Sequence, residues 1–183
     1  MHADHRSGER ELAARTGATV YHHRLAELEY PCVRLDDGAE VSLGNVVVRA
    51  LHTPGHTPES MSLLVTDRTR GDEPWMVFTG DTLFVGDVGR PDFGGADAGR
   101  ELYASLARLL SLPDYVEVYP AHISGSPCGR SMSGKPSSTI GFERRHNAAL
   151  QHRDRDAFVA ALFADLPPKP PGFLEMIATN RRG

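Results

Sequence analysis

Met1-His2-Ala3-Asp4-His5 opens the chain and reads as the later part of a His-x-His-x-Asp-His metal-binding loop whose leading histidine would precede residue 1. Imidazole nitrogen and carboxylate oxygen suit a divalent cation of borderline or hard character, such as zinc, iron or manganese. A turn opening a helix can aim several of these groups at one point, beside the free N–H groups of that helix's first turn. Taken alone, the stretch has an ordinary alternative as solvated polar residues at a chain end. Three residues further along change the balance: His56 in Thr53-Pro54-Gly55-His56, Asp81 in Thr79-Gly80-Asp81-Thr82, and His122 in Pro120-Ala121-His122. Each has its own ordinary reading, as a turn histidine, a capping aspartate or a histidine at the core edge. Those readings would all have to hold at once, so the set is read as a metal centre.

The surrounding pattern places these residues. A short helix is expected over 7–15, with Ser7 as a candidate N-cap and Gly17 as its stop, followed by a strand over 18–21. Runs at 41–43 and 46–51 flank Gly44-Asn45 and read as a hairpin. Further strands are expected at 62–66, 75–78 and 116–119, with a polar turn over 68–74. Leucines 102, 106, 109 and 110 recur at helical spacing, which predicts an amphipathic helix over 98–110. A Gly/Ser/Pro-rich loop over 124–138 precedes helices expected at 140–151 and 156–166; prolines in 167–171 then break the pattern before a last helical turn at 173–178. The histidines and aspartates of interest fall at strand ends or in the loops after them, where α/β folds place ligand sites.

Composition bounds the rest. The 183 residues, 40% of them hydrophobic, suit one globular domain spanning 1–183 with a real core. A net charge of −4 with scattered basic residues lacks the footprint of a nucleic-acid binder. Two cysteines, Cys32 and Cys128, are too few for a disulfide framework and suit a reducing compartment, so a cytoplasmic location is the default. No run approaches a membrane span, and the start lacks a signal-peptide pattern.

The four motifs together resemble the metallo-β-lactamase superfamily, in its glyoxalase II and persulfide dioxygenase branch. The resemblance runs through Thr57 after His56, Leu83-Phe84 after Asp81-Thr82, and Tyr119 before Pro120. It implies an α/β fold of the α+β kind, an αββα sandwich of two facing mixed sheets, with the first strands lacking and the start truncated. Gly89-Arg90-Pro91-Asp92-Phe93, the run from Ala121 to Gly129, and Ser138-Thr139-Ile140-Gly141 with Glu143-Arg144 resemble bacterial persulfide dioxygenases often fused to a rhodanese (sulfurtransferase) domain.

That resemblance implies one Fe(II) per chain, with His56 and Asp81 as ligands and His2 or a water standing in for the absent leading histidine. Three ligands on one face would leave the other for substrate sulfur and dioxygen. Asp4, His5 and His122 would orient ligands or waters. Arg90 would grip an anionic substrate, with Asp92 holding it in place, or would pair with Asp87 or Asp92 as a surface arginine. Cys128 is a candidate persulfide-accepting thiol, against the commoner reading of an unactivated free thiol. The alternative is a thioester hydrolase of glyoxalase II type, with two Zn(II) held by His2, His56, Asp4, His5 and His122 and bridged by Asp81. A third is an inactive fragment. Expected partners are a small-molecule persulfide or thioester, a rhodanese and a second copy of the chain, with no nucleic acid or membrane.

Overall fold

The computed structural model describes residues 2–95, 97–164 and 166–183. Helix α1 (Glu9–Thr16) begins two residues later than expected, behind Gly8, although the Ser7 hydroxyl still accepts the Glu9 N–H at 3.3 Å. Gly17, at φ 72°, ends it by returning its N–H to the Ala13 carbonyl. Strand β1 (Tyr21–His23) lies further on than the expected 18–21 and pairs in parallel with an unexpected β2 (Val33–Leu35).

The main sheet has six strands in sequence order: β3 (Glu40–Leu43), β4 (Val46–His52), β5 (Met61–Asp67), β6 (Met76–Gly80), β7 (Glu117–Pro120) and β8 (Ser138–Thr139). The expected β3–β4 hairpin forms with Leu43 opposite Val46, and Gly44 takes φ 65° at the first turn position, where a two-residue turn accepts glycine. β4–β5 and β5–β6 are antiparallel, whereas β6–β7 is parallel and joined by helix α2 (Ala98–Leu110). Two reversals bring β6 back to the direction of β4, so β4, β6 and β7 all end at one edge of the sheet.

One face of this sheet carries the core. Leu64, Val77 and Val118 meet Leu102, Leu106 and Leu109 of α2, with Phe158 and Leu162 of α4 (Arg155–Ala164) beyond them. Full burial of each leucine is worth about 1.5–3 kcal/mol relative to exposure. α2 matches its expected bounds. The helix expected over 156–166 ends at Ala164, and residue 165 lies outside the described residues.

The helix expected over 140–151 is instead split into α3 (Ile140–His146) and a 3-10 turn (Ala148–Gln151). Asn147 causes the split. Its extended backbone, ψ 116°, lets a buried side chain donate to the Glu143 carboxylate and the Asp87 carbonyl and accept the Ala149 N–H. The last helix, α5 (Phe173–Arg182), is longer than the single turn expected at 173–178. Among the described residues no helix is long and apolar enough to cross a membrane.

Candidate metal centre

His56 follows the end of β4, Asp81 follows β6 and His122 follows β7, so one sheet edge presents all three. Segment 2–7 lies across that edge and completes the set. One ligand atom each from His2, Asp4, His5 and His122 lie within 4.8 Å of one another, and so do those of His56, Asp81 and Cys128. Asp81 joins the two groups. Its Oδ2 is 3.3 Å from His56 Nε2 and 3.5 Å from His2 Nδ1, while its Oδ1 accepts from His122 Nδ1 at 2.7 Å. His122 Nε2 in turn lies 2.9 Å from Asp4 Oδ2, and His5 Nδ1 is 3.0 Å from Asp4 Oδ1.

Two local features fit a cation. The Nδ1 of His56 points 2.9 Å from the Arg90 carbonyl, which can only accept, so Nδ1 carries the proton in the neutral ring. The lone pair of Nε2 then faces a carboxylate oxygen, and two acceptors in opposition call for a positive charge between them. His2 Nδ1 is buried with no hydrogen-bond partner, yet is aimed at that same oxygen. A divalent metal would satisfy both nitrogens, and the histidine-and-carboxylate donor set suits iron, zinc or manganese.

Electrostatics make Asp81 the negative focus. Burial opposes its ionisation, but the hydrogen bond from His122 and the close His2 and His56 rings outweigh burial and hold the carboxyl well below the usual carboxylate range. For Asp4, burial is likewise outweighed, by the neighbouring charge of His122 and the hydrogen bond of His5. His122, whose burial alone would lower its pKa, is held raised by Asp81 and Asp4.

In the metal-free chain the His122 imidazolium therefore contributes stability that is complete below the ordinary histidine value, ~6.5, and is lost as pH climbs through the raised one. The depressed carboxylates contribute stability that is present above their ordinary range and lost as acid protonates them. With chelator present, the urea midpoint should fall as pH rises past the histidine window, and His122→Asn should remove that fall. A parallel decline in the variant would rule out the imidazolium as its cause.

The segment after Asp81 packs against the ligands. Gly89 comes so close that an added Cβ would lie 1.8 Å from the Asp81 carbonyl oxygen; one on Gly94 would lie 2.4 Å from that of Gly55. Phe93 sets its ring edge-on to His56, with centroids 5.4 Å apart.

Arg90 departs from its expected substrate-gripping role. It is 3% exposed, and all five of its side-chain N–H groups are engaged. Nε and Nη2 bond the Asp92 carboxylate at 2.7 and 2.9 Å, as expected of that partner. The rest reach the carbonyls of Pro127, Pro167 and Pro168 at 3.1, 2.7 and 3.2 Å, leaving no donor for an anion. Arg90 ties the Cys128 loop and the proline run to the backbone that orients His56.

Cys128 is 1% exposed, with Sγ 3.8 Å from Asp4 Oδ2. Burial, and then the negative charge of Asp81, push its thiol up to about 12, which opposes formation of the thiolate that a persulfide acceptor would need. A disulfide reagent at neutral pH should accordingly titrate Cys32 at once and Cys128 only after denaturation. Prompt reaction of both thiols would contradict this setting.

The residues that sequence reasoning missed are those that hold loops. Buried Asp87 pairs with Arg130 rather than Arg90, and its carboxylate also accepts the backbone N–H groups of Val88, Arg130 and Ser131. Glu143, fully buried, accepts from Gly86 N, Asn147 Nδ2 and Ser138 Oγ. Asn180 in α5 bonds to segment 2–7. An acid flanked by glycines or a helix start is the only hint that could have flagged the first two; Asn180 carries none.

Residues 1–122 match the metallo-beta-lactamase superfamily. The chain belongs to this superfamily of metal-dependent enzymes. A metallo-beta-lactamase structure from Staphylococcus aureus subsp. aureus COL superposes with a TM-score of 0.91 at 34% identity, over 100% of this chain and 56% of that one. The structure of ETHE1 from Myxococcus xanthus does so with a TM-score of 0.82 at 34% identity, over 98% of this chain and 72% of that one. A hydroxyacylglutathione hydrolase of Methylococcus capsulatus is 36% identical over 170 residues, 90% of this chain and 62% of its own length. The chain spans about half the length of the first curated relatives it matches.

Proposed function

We propose that this chain forms the catalytic site of a non-haem Fe(II) persulfide dioxygenase. The reaction oxidises a low-molecular-weight thiol persulfide, such as glutathione persulfide, with O2 and water to sulfite and the parent thiol. The observation that carries this reading is the placement of Gly89-Arg90-Pro91-Asp92-Phe93. In this segment the resemblance separates persulfide dioxygenases from thioester hydrolases, and it packs directly on His56 and Asp81. The likeness to the Myxococcus xanthus ETHE1 structure over nearly the whole chain is compatible with this reading.

Bound Fe(II) would supply the redox step that O2, a triplet, cannot make unaided on a closed-shell persulfide. His56, Asp81 and His2 would hold it. Arg90 would keep the His56 ring turned toward Asp81, and Asp92 would keep Arg90 in place. A cavity of about 350 Å³ opens beside these ligands, walled by His22, His23, Met61 and Leu63 among others, which is the size of a small-molecule site. A rhodanese-type sulfurtransferase, fused or separate, is the partner this reading calls for.

One observation favours a second reading. Asp81 turns one oxygen to His2 and His56 and the other to His122, beside Asp4 and His5, so its two oxygens could serve both ligand sets, as two Zn(II) in a thioester hydrolase would require. Metal analysis with oxygen-electrode traces decides between them. One iron per chain, with O2 uptake and sulfite on adding glutathione persulfide, is expected; two zinc ions with thioester hydrolysis and no O2 uptake would overturn the proposal.

A further inference from the structure

We infer that Asn180, in α5, is the positioning residue of the metal loop: it sets the backbone that carries His2, Asp4 and His5. This rests on the reading of those residues as metal-binding. Asn180 is 2% exposed, and its side chain is spent on that one segment. Its Nδ2 donates to the His2 and His5 carbonyls, each at 2.9 Å, and its Oδ1 accepts the Ser7 N–H at 2.8 Å. Among the described residues, no backbone–backbone hydrogen bond involves 2–7. The other contacts of this loop act on side chains: His122, Ser126 Oγ at 3.3 Å and Cys128 Sγ at 3.8 Å on the Asp4 carboxylate, and Asp81 at 3.5 Å from His2 Nδ1. Asn180 is therefore what fixes its main chain, bridging both ends of His2-Ala3-Asp4-His5 with one planar amide.

The amide is itself well held. The Arg181 carbonyl accepts the Glu29 N–H at 2.9 Å, the Arg182 carbonyl accepts from Arg10 at 3.1 Å, and Arg181 pairs with Glu27 at 3.0 Å. α5 is thus pinned to the N-terminal region immediately after the contact. The chemistry also requires an amide here. Two carbonyls need two donors and one N–H needs an acceptor, which asparagine supplies at once; aspartate would set a carboxylate against both carbonyl oxygens.

Loss of an outer partner of a metal ligand typically weakens metal binding about 10–100-fold. Asn180→Ala and the isosteric Asn180→Asp should each weaken Zn(II) binding by about that factor, read by competition with a chromophoric chelator, and should alter the visible spectrum of the Co(II)-loaded chain. Leu174→Ala, an exposed change on the same helix, should do neither. In the unmodified chain, Zn(II) should shift the Asn180 side-chain NH2 resonances and slow their exchange with solvent, a readout that needs no variant to fold. Zn(II) affinity and Co(II) spectrum unchanged in either variant, or NH2 resonances indifferent to Zn(II), would overturn the positioning role. Failure of the unmodified chain to bind Zn(II) would instead overturn the metal reading on which the role rests.

Discussion

Asp81→Ala is expected to abolish metal binding, weakening Zn(II) or Fe(II) by more than about a hundredfold, beyond what loss of an outer partner costs. Asp81 is the carboxylate that faces histidines of both ligand sets, so its removal takes an oxygen from each. It also leaves His122 with Asp4 alone and removes the carboxylate that shares a cation with His56 Nε2 in the proposed site. In the chelated protein the stability lost should be largest where His122 is charged, and should shrink as pH rises and the imidazolium disappears. His122→Ala supplies the contrast. In the mononuclear iron site proposed above it leaves the metal in place, whereas in a dinuclear site it removes one ion of two. Metal content per chain measured on the two variants reads both outcomes, and an Asp81→Ala chain that kept its metal would refute the site itself.

Elements defined by short-range pattern were legible from the chain. α2 was, because its leucines recur at helical spacing and the core it meets is apolar along the same stripe. The β3–β4 hairpin was, because Gly44 suits the turn's backbone. β2 and β8 were not, being three and two residues long and defined only by pairing with distant strands. The break at Asn147 was hidden for a related reason: a buried amide leaves the helix to reach Glu143 and Asp87, and only Glu143 is near it in sequence. α5 is anchored by contacts to residues 2–10 and 27–29, which no local pattern announces.

The site divides the same way. His56, Asp81 and His122 could be named because donor chemistry at strand ends is visible in residue type, and strand direction then brings them to one edge. Arg90 shows where that reasoning stops. Its charge and its neighbour Asp92 were visible, but the occupation of its remaining donors by carbonyls of residues 127, 167 and 168 was not. A charged side chain near a site is read by default as facing the ligand; here backbone oxygens from two distant loops use it up.

Gly89→Ala should do the most damage of any single methyl addition near the centre. Its Cβ would fall 1.8 Å from the Asp81 carbonyl oxygen and 3.4 Å from His56 Cβ, against backbone on one side and a candidate ligand on the other. Gly89 is not among the positive-φ glycines, so alanine carries no intrinsic backbone penalty here and the whole effect is steric. Overpacking of this kind costs about 1–3 kcal/mol, occasionally more, which for a chain of this length means roughly 2–4 °C of melting temperature per kcal/mol. The displaced atoms belong to Asp81 and to the segment that orients His56, so the site should be lost with the stability. Added Zn(II) should raise the melting temperature of the unmodified chain by mass action. It should also raise that of Gly8→Ala, whose Cβ meets nothing within 4 Å, but not that of Gly89→Ala. A Gly89→Ala chain melting with the unmodified protein and responding to Zn(II) as it does would show that the loop can yield without disturbing the ligands, and would sever the link between this packing and the metal centre.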